Sequence, residues 1–444
     1  MLEKQNRYEE AINRYNLTIK INPNFINAYI NLSILLISLN NLDEAEEICK
    51  KGLKIQPLND NLNLNLGNIF YGKYQFQVAS ELYKKVIKIN PLNSLAFNNL
   101  GNASRELNLP KEAIRNYKAA IKLNPKDPNY YNNLSVALVE SGKLDEAKEN
   151  LNLAIDMMPE FSHALMSRGQ LFFNEGEFKY ALNDFDKCQN DESKARSLWC
   201  LYALGEKKEI YKRIDLYSNE DKENLMVASF SSFFSEIEKK DNANIFCKNP
   251  LDFLYFSNLS SHNKSKSNFT NDLIDELKKI ENIWEPIGKS TKKGFQSNIN
   301  YNLFDSEQKN LKLLKSIILD ELNLYYKKFS NKDCLFIEKW PKIRNIKGWY
   351  VILQSQGFQK VHIHPGGWLS GVIYLNVVPS LQRNEGAIEF SLSGEYFKNI
   401  KSSKLIYQPK IGDIIFFPST LHHRTIPFTT NNERIIISFD LIPN

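Results

Sequence analysis

The sequence lacks the features of a secreted, membrane-spanning or nucleic-acid-binding protein. Among 444 residues there are only five cysteines, widely spaced and without a CxxC pair, which indicates neither a disulfide framework nor a thiolate zinc site. No apolar run approaches the roughly 18 residues of a transmembrane helix. The net charge of +6, from 57 basic and 51 acidic residues, is too small to indicate nucleic acid or an anionic membrane as a partner. The first residues are charged and contain no apolar signal segment, so we expect a cytoplasmic protein.

A pattern with a period of 34 residues fills the first half of the chain. It combines a proline, an alanine and a small residue in each period. The prolines are Pro23, Pro57, Pro91, Pro125 and Pro159, the alanines run from Ala11 through Ala45 to Ala181, and the small residues include Ser33, Gly67, Gly101, Ser135 and Gly169. Glycine or serine lets two helices approach closely, alanine fits where helices cross, and proline ends the second helix. Each period therefore predicts a helical hairpin that stacks on the next.

This pattern resembles the tetratricopeptide (TPR) repeat. The resemblance implies an all-α TPR solenoid over residues 1–194, with a concave groove that binds a protein or peptide partner. Because Ala11 occupies a second-helix position, the array is expected to begin half a repeat early. Beyond Lys194 the register is lost, since Asp215 stands where an alanine is due. We therefore predict a helical connector over residues 195–250.

The last part of the chain, residues 251–444, has a different pattern. Two predicted helices, near 271–284 and 308–329, come before short runs rich in Val, Ile, Tyr and Phe. These runs are WYVIL, KVHIH, SGVIYLNVV, GAIEF, KLIYQP, DIIFFP, RTIPF and RIIISFDLI. About eight short strands separated by Gly, Pro and Asn predict an antiparallel sandwich or barrel with flanking helices.

Four of the six histidines lie in this β-rich part. His362 and His364 are two residues apart in KVHIH, so both imidazoles are expected on one face of a strand. Two imidazoles on one face suit a divalent metal, and the pair at His422 and His423 could supply a third ligand. Hydrogen-bonded core or surface histidines are the alternative on spacing alone. His262, outside this cluster, is expected at the surface.

The stretches VHIHPGGWLSGVIYLN, NEGAIEF, PKIGDIIFFPSTLHHRTIPF and NNERIIISFDL resemble the double-stranded β-helix (jelly-roll) core of Fe(II)/2-oxoglutarate-dependent oxygenases. In particular they resemble a small bacterial family of such proteins often fused to TPR arrays, and the resemblance covers about residues 285–444. It implies that His362, His364 and His423 are the catalytic metal ligands and that His422, the neighbour of His423 on the other side of the chain, is a weaker candidate. It also implies Fe(II) as cofactor and 2-oxoglutarate as co-substrate, with ascorbate as a further cofactor.

By the same resemblance, Arg434 pairs with the far carboxylate of 2-oxoglutarate and Tyr374 donates a hydrogen bond to it. Two positions depart from the usual pattern. His364 stands where most of these oxygenases have Asp or Glu, and Ile436 stands where they commonly have Ser or Thr. Three imidazoles would also suit Zn(II), so zinc stays open. Asp413 is expected in a turn and not as a ligand.

The function predicted from the sequence is therefore a 2-oxoglutarate-dependent dioxygenase that hydroxylates an unidentified substrate, with a TPR array that recruits a protein or peptide. The alternative is a TPR adaptor whose β-domain binds a metal or ligand without oxygenase turnover.

Overall fold

The computed structural model describes residues 7–262, 268–286, 289–298, 301–394 and 401–443. By its internal contacts the chain divides into two compact units, Met1–Cys188 and Gln189–Asn444. The segment 195–250, predicted as a helical connector, is mainly helical up to Glu238 and lies within the second unit. In the described part of the chain, no helix has both the length and the apolar character needed to cross a membrane.

The first unit is an all-α solenoid, as its repeats predict. Its helices are α1 (Tyr8–Ile21), α2 (Ile26–Ser38), α3 (Leu42–Ile55), α4 (Asp60–Gly72), α5 (Phe76–Ile89), α6 (Ser94–Glu106), α7 (Pro110–Leu123), α8 (Pro128–Glu140), α9 (Leu144–Met157), α10 (Ser162–Glu175) and α11 (Phe178–Cys188). The prolines end the helices as expected: α1 stops at Ile21, and Asn22, directly before Pro23, leaves the helical conformation.

The small residues of the repeat lie where neighbouring helices approach most closely. A Cβ placed on Gly101 would lie 2.6 Å from the ring of Tyr117, and Gly67 has the same relation to Tyr83. Asparagines on the first helices of successive repeats add polar links, since the Asn99 side chain donates to Asn68 at 2.9 Å. The solenoid is thus held by apolar packing and by hydrogen bonds between successive repeats.

The second unit combines helices with two antiparallel sheets. Its helices are α12 (Asp191–Leu204), α13 (Lys207–Glu220), α14 (Leu225–Glu238), α15 (Phe269–Leu277), α16 (Lys309–Phe329) and α17 (Leu335–Glu338). Its strands are β1 (Tyr255–Asn258), β2 (Asn282–Trp284), β3 (Thr291–Ser297), β4 (Ile346–Gln359), β5 (Leu369–Asn376), β6 (Ile388–Ser391), β7 (Lys404–Tyr407), β8 (Asp413–Pro418), β9 (His422–Thr425) and β10 (Arg434–Leu441). The larger sheet has the order β1-β8-β5-β10-β4-β3-β2, and the smaller has the order β7-β6-β9.

Side-chain alternation along β10 separates the hydrophobic core from the functional face. Ile435, Ile437, Phe439 and Leu441 join the core that includes residues of α15 and α16. The alternate positions Arg434, Ile436, Ser438 and Asp440 therefore point to the opposite face. Ser370 on β5 pairs with Asp440, and Tyr374 pairs with Ile436, so β5 adds its polar side chains to this same face.

One of the eight predicted strands is wrong, and another is displaced. KVHIH contains no regular strand, because β4 ends at Gln359 and only His362 forms an isolated bridge, with His423. Pro365, which follows His364, has no N–H for a ladder, and the chain turns there. The strand predicted at RTIPF is displaced by two residues: β9 starts at His422 and ends at Thr425, before the proline.

The described part of the polar segment after Asn258 also differs from expectation. His262 is not a free surface histidine, because its Nε2 lies 2.6 Å from the buried carboxylate of Glu321. Tyr255 and Ser257 donate hydroxyl hydrogen bonds to the same carboxylate. The cluster therefore fixes β1 to the long helix α16.

Candidate metal centre

Three histidine side chains from two separated segments converge at one end of the functional face. The ring centroids of His362 and His423 are 4.3 Å apart, those of His364 and His423 are 4.9 Å apart, and those of His362 and His364 are 5.0 Å apart. One nitrogen from each ring lies within 4.8 Å of the others, a spacing suited to a metal ion. His423 is buried and the other two are half-buried.

Backbone hydrogen bonds position all three residues. His362 and His423 exchange N–H···O bonds of 3.1 and 3.0 Å, which join the segment after β4 to β9. The His364 amide donates to the carbonyl of Ser419 at 3.0 Å, in the loop between β8 and β9. The two imidazoles of the HxH pair thus lie close together although no strand holds them, because loop contacts replace the expected ladder.

Each Nδ1 atom faces an acceptor oxygen. His362 Nδ1 lies 2.7 Å from the Lys360 carbonyl, and His423 Nδ1 lies 3.2 Å from the Leu421 carbonyl. His364 Nδ1 lies 2.6 Å from Asp440 Oδ1. Because an acceptor needs a donor opposite it, these contacts assign the proton to Nδ1 and leave the Nε2 lone pair of each ring available to a metal.

Burial also favours the neutral form of the His362 and His423 rings, which is the form that binds metal. Desolvation, reinforced by the neighbouring His364 ring, lowers the pKa of His362 to about 3. Desolvation also lowers the pKa of His423 well below its ordinary value, with further contributions from His362 and His364.

His422 lies on the other side of β9 and is not part of the cluster. Its Nδ1 is 3.3 Å from the hydroxyl of Ser229 on α14. It lines a small cavity of about 60 Å³ together with Trp199 and Ile363. Burial lowers the pKa of His422 to about 4.

Arg434 and Tyr374 form a buried polar pair on the same face. The Arg434 side chain is 1% exposed, and its Cζ lies 4.9 Å from the centroid of the Tyr374 ring. Within the described residues, Arg434 Nε and Nη1 and the Tyr374 hydroxyl have no hydrogen-bond partner. Burial lowers the pKa of Arg434 and raises that of Tyr374 to about 12. A buried guanidinium with open N–H groups calls for an anion.

Asp413 does not supply that anion. Its carboxylate accepts hydrogen bonds from the Tyr407 hydroxyl at 2.8 Å, the Lys410 amide at 2.7 Å and the Asn258 amide group at 2.9 Å. It follows Gly412, whose φ of +86° belongs to the turn expected there. The carboxylate is fully used in closing this turn at the start of β8.

The sequence prediction missed the polar group behind His364. Asp440, Ser370 and Ser419 form a connected set, in which the Ser370 hydroxyl lies 2.7 Å from Asp440 Oδ1 and 2.8 Å from Ser419 Oγ. The period-2 alternation of β10 could have revealed Asp440, because it lies on the same face as Arg434.

Comparison with known families supports this architecture. A family model described as "Putative 2OG-Fe(II) oxygenase" matches residues 347–440. Tetratricopeptide repeat models match residues 2–66, 82–115, 104–140 and 128–161. The chain therefore combines TPR repeats with a C-terminal domain that is similar to the family described as putative 2OG-Fe(II) oxygenases. Among curated proteins, none matches the chain.

Solved structures with TPR folds are similar to part of the chain. PilF of Pseudomonas aeruginosa is 20% identical, with 46% of this chain and 96% of that chain covered and a TM-score of 0.41. YrrB, described as a TPR protein with an unusual peptide-binding site, is 24% identical, with 44% and 97% covered and a TM-score of 0.34. PilW, described as a type IV pilus biogenesis factor, is 19% identical, with 44% and 92% covered and a TM-score of 0.40. Similarities this distant add nothing on function.

Proposed function

We propose that this protein is an Fe(II)- and 2-oxoglutarate-dependent dioxygenase that hydroxylates a C–H bond of an unidentified substrate. The observation that carries the proposal is the buried Arg434, whose open N–H groups share a face with Asp440, which in turn contacts the histidine cluster. A structural zinc site needs only the histidines. A buried cation without a partner anion is expected only where an anionic ligand binds.

The residues present fit the metal and the co-substrate. His362, His364 and His423 would hold Fe(II) through Nε2, and imidazole is a suitable ligand for both iron and zinc. When bound, iron supplies the oxygen activation that couples oxidative decarboxylation of 2-oxoglutarate, to succinate and carbon dioxide, to substrate oxidation. The expectation of ascorbate rests on the family resemblance alone.

The protein's own groups bind and orient the co-substrate. The Arg434 guanidinium would form two parallel hydrogen bonds with the far carboxylate of 2-oxoglutarate. The Tyr374 hydroxyl, raised in pKa and therefore protonated, would donate to the same carboxylate. The ring centroid of Phe417 lies 4.6 Å from that of His423, and the ring centroid of Trp349 lies 5.5 Å from that of His364, so aromatic rings pack beside two of the three ligands.

The TPR unit would recruit the substrate or a partner that presents it. TPR repeats are binding modules, and the proposal is that this array binds a peptide or a protein. The second candidate, a TPR adaptor whose β-domain binds metal without turnover, is favoured by the all-histidine triad and by Ile436, which lies where a hydroxyl residue would help to hold 2-oxoglutarate.

Metal and co-substrate binding can be tested separately. His362→Ala, His364→Ala and His423→Ala should each abolish stoichiometric Fe(II) uptake, whereas the neighbouring His422→Ala should not. Anaerobic addition of 2-oxoglutarate to the Fe(II)-loaded protein should produce a metal-to-ligand absorption band, and oxygen should then yield succinate. Metal uptake without the band or succinate would favour the adaptor. Loss of metal in His422→Ala alone would contradict the ligand assignment.

A further inference from the structure

We propose that Asp440 is a positioning residue that delivers to the metal, through His364, the negative charge that an Asp or Glu ligand would bring directly. This inference rests on the proposed metal site. It concerns a residue to which neither the sequence prediction nor the family match assigns a role.

The contacts around Asp440 are short and directed. His364 Nδ1 lies 2.6 Å from Asp440 Oδ1, within the range of a charge-assisted hydrogen bond. Ser370, opposite Asp440 on the neighbouring strand, donates its hydroxyl to the same oxygen at 2.7 Å. Two donors therefore converge on one carboxylate oxygen and fix its position behind the imidazole.

Gly367 leaves the room for this arrangement. A Cβ at Gly367 would lie 2.9 Å from Asp440 Cγ and 2.9 Å from Ser419 Oγ, so any side chain there would push the carboxylate away from His364. The Gly367 amide also donates to the His364 carbonyl at 3.0 Å. The turn after the HxH pair is thus shaped to admit the carboxylate.

A carboxylate that accepts the N–H of a metal-bound imidazole has two effects. It fixes the ring so that Nε2 faces the metal, and it increases electron donation from that nitrogen. Loss of such a partner typically lowers metal affinity by about 10- to 100-fold. Lys360 and Leu421 give His362 and His423 only neutral carbonyl acceptors. Among the described contacts of the three Nδ1 atoms, only that of His364 is with a carboxylate, at the position where a carboxylate ligand is usual.

The test uses Asp440→Asn in the full-length protein, because asparagine keeps the size and one acceptor oxygen but removes the charge. Anaerobic competition with a chelating dye should show Fe(II) affinity reduced by about 10- to 100-fold. The Fe(III)/Fe(II) potential should become more positive, which a purely structural role would not cause. Asp413→Asn is the matched control: it removes another buried carboxylate, with three hydrogen bonds but no histidine contact, and should leave both quantities unchanged.

A second background shows whether Asp440 acts through His364. In His364→Asp the imidazole N–H is absent and two carboxylates face each other, so adding Asp440→Asn should leave Fe(II) affinity unchanged or raise it. A fall of tenfold or more in that background would mean that Asp440 acts on the metal directly, and would overturn the proposal. If Asp440→Asn misfolds by circular dichroism, Ser370→Ala, which removes one donor to the carboxylate, should shift the potential in the opposite, negative direction; no shift would overturn the proposal.

The proposed role of Asp440 can fail while the proposed function holds, and the proposed function can fail while the role of Asp440 holds. Wild-type protein that oxidises 2-oxoglutarate while Asp440→Asn keeps normal affinity and potential would refute the role of Asp440 alone. Wild-type protein that binds metal but not 2-oxoglutarate, with a clear effect of Asp440→Asn, would refute the oxygenase and support this role.

Discussion

Replacing Arg434 by methionine should stabilise the protein without 2-oxoglutarate and abolish the stabilisation that 2-oxoglutarate provides. Two guanidinium nitrogens of this fully buried side chain have no partner within the described residues. Burial of unpaired polar groups costs about 1–3 kcal/mol each, more for charged groups. Methionine keeps much of the apolar contact with the Tyr374 ring and removes these groups. We therefore expect the free energy of unfolding of Arg434→Met to rise by about 1–3 kcal/mol without co-substrate.

2-Oxoglutarate should stabilise the wild-type protein more than Arg434→Met, and so reduce or reverse the difference in stability between the two proteins. At a concentration 100 times its Kd, a ligand stabilises the folded state by about 2.7 kcal/mol. Loss of the hydrogen-bonded charge pair costs on the order of 2–5 kcal/mol of binding, about 30-fold or more in affinity. The variant should therefore gain little from the same concentration, and Arg434→Lys should recover only part of the affinity, because an ammonium cannot bind a carboxylate in a bidentate manner.

The free energy of unfolding, with and without 2-oxoglutarate, can be measured by tryptophan fluorescence during urea unfolding, under anaerobic conditions and with metal bound. All five tryptophans lie in the second unit, so the signal reports on that unit alone: Trp199, Trp284, Trp340, Trp349 and Trp368. Arg424→Met is the matched control, because Arg424 is partly exposed and pairs with Glu389. This control variant should not increase the free energy of unfolding, and 2-oxoglutarate should stabilise it as it stabilises the wild-type protein. If Arg434→Met is destabilised without ligand and is still stabilised by 2-oxoglutarate, the co-substrate assignment is wrong.

Two further predictions concern packing and pH. Gly101→Leu should unfold the neighbouring repeats, because even a Cβ there would lie 2.6 Å from the Tyr117 ring; full helicity by circular dichroism would contradict the repeat register. Burial lowers the pKa of His422 to about 4 from 6.5, so the unfolded state binds more protons between these values and stability falls as pH drops from about 6.5 to about 4. His422→Asn should flatten this dependence by up to about 3 kcal/mol, and parallel stability–pH curves for the two proteins would contradict the assignment.

The repeat half was predictable because its determinants are local. The proline at each 34-residue interval acts on the residue directly before it, and each small residue acts on a helix in the same or the next repeat. The alternation of β10 was equally visible, because a period of two in RIIISFDLI decides which side chains share a face.

The contacts that were not predicted join residues far apart in the sequence. His364 and Asp440 are 76 residues apart, and the composition near His364 gives no sign of the partner. The polar surroundings of His262 predict a surface position. Its imidazole nevertheless contacts Glu321 of α16, which is 59 residues further along the chain. KVHIH alternates like a strand, but Pro365 and the loop contacts of His362 and His364 override that local preference.

The all-histidine triad is best explained by the charges that would share the interior. A two-histidine, one-carboxylate site brings one negative charge to the metal, and three neutral imidazoles bring none. Asp440, which is hydrogen-bonded to His364, restores that negative charge behind the ligand and not on the ligand itself. With a divalent metal and Arg434 as the positive groups, and Asp440 and dianionic 2-oxoglutarate as the negative groups, the loaded interior is formally neutral, as burial of charges requires. His364→Asp with Asp440 retained would add an uncompensated negative charge, so 2-oxoglutarate should bind that variant more weakly than it binds the double variant with Asp440→Asn. Equal affinities of the two variants, measured by the anaerobic absorption titration, would show that charge balance does not account for the third histidine.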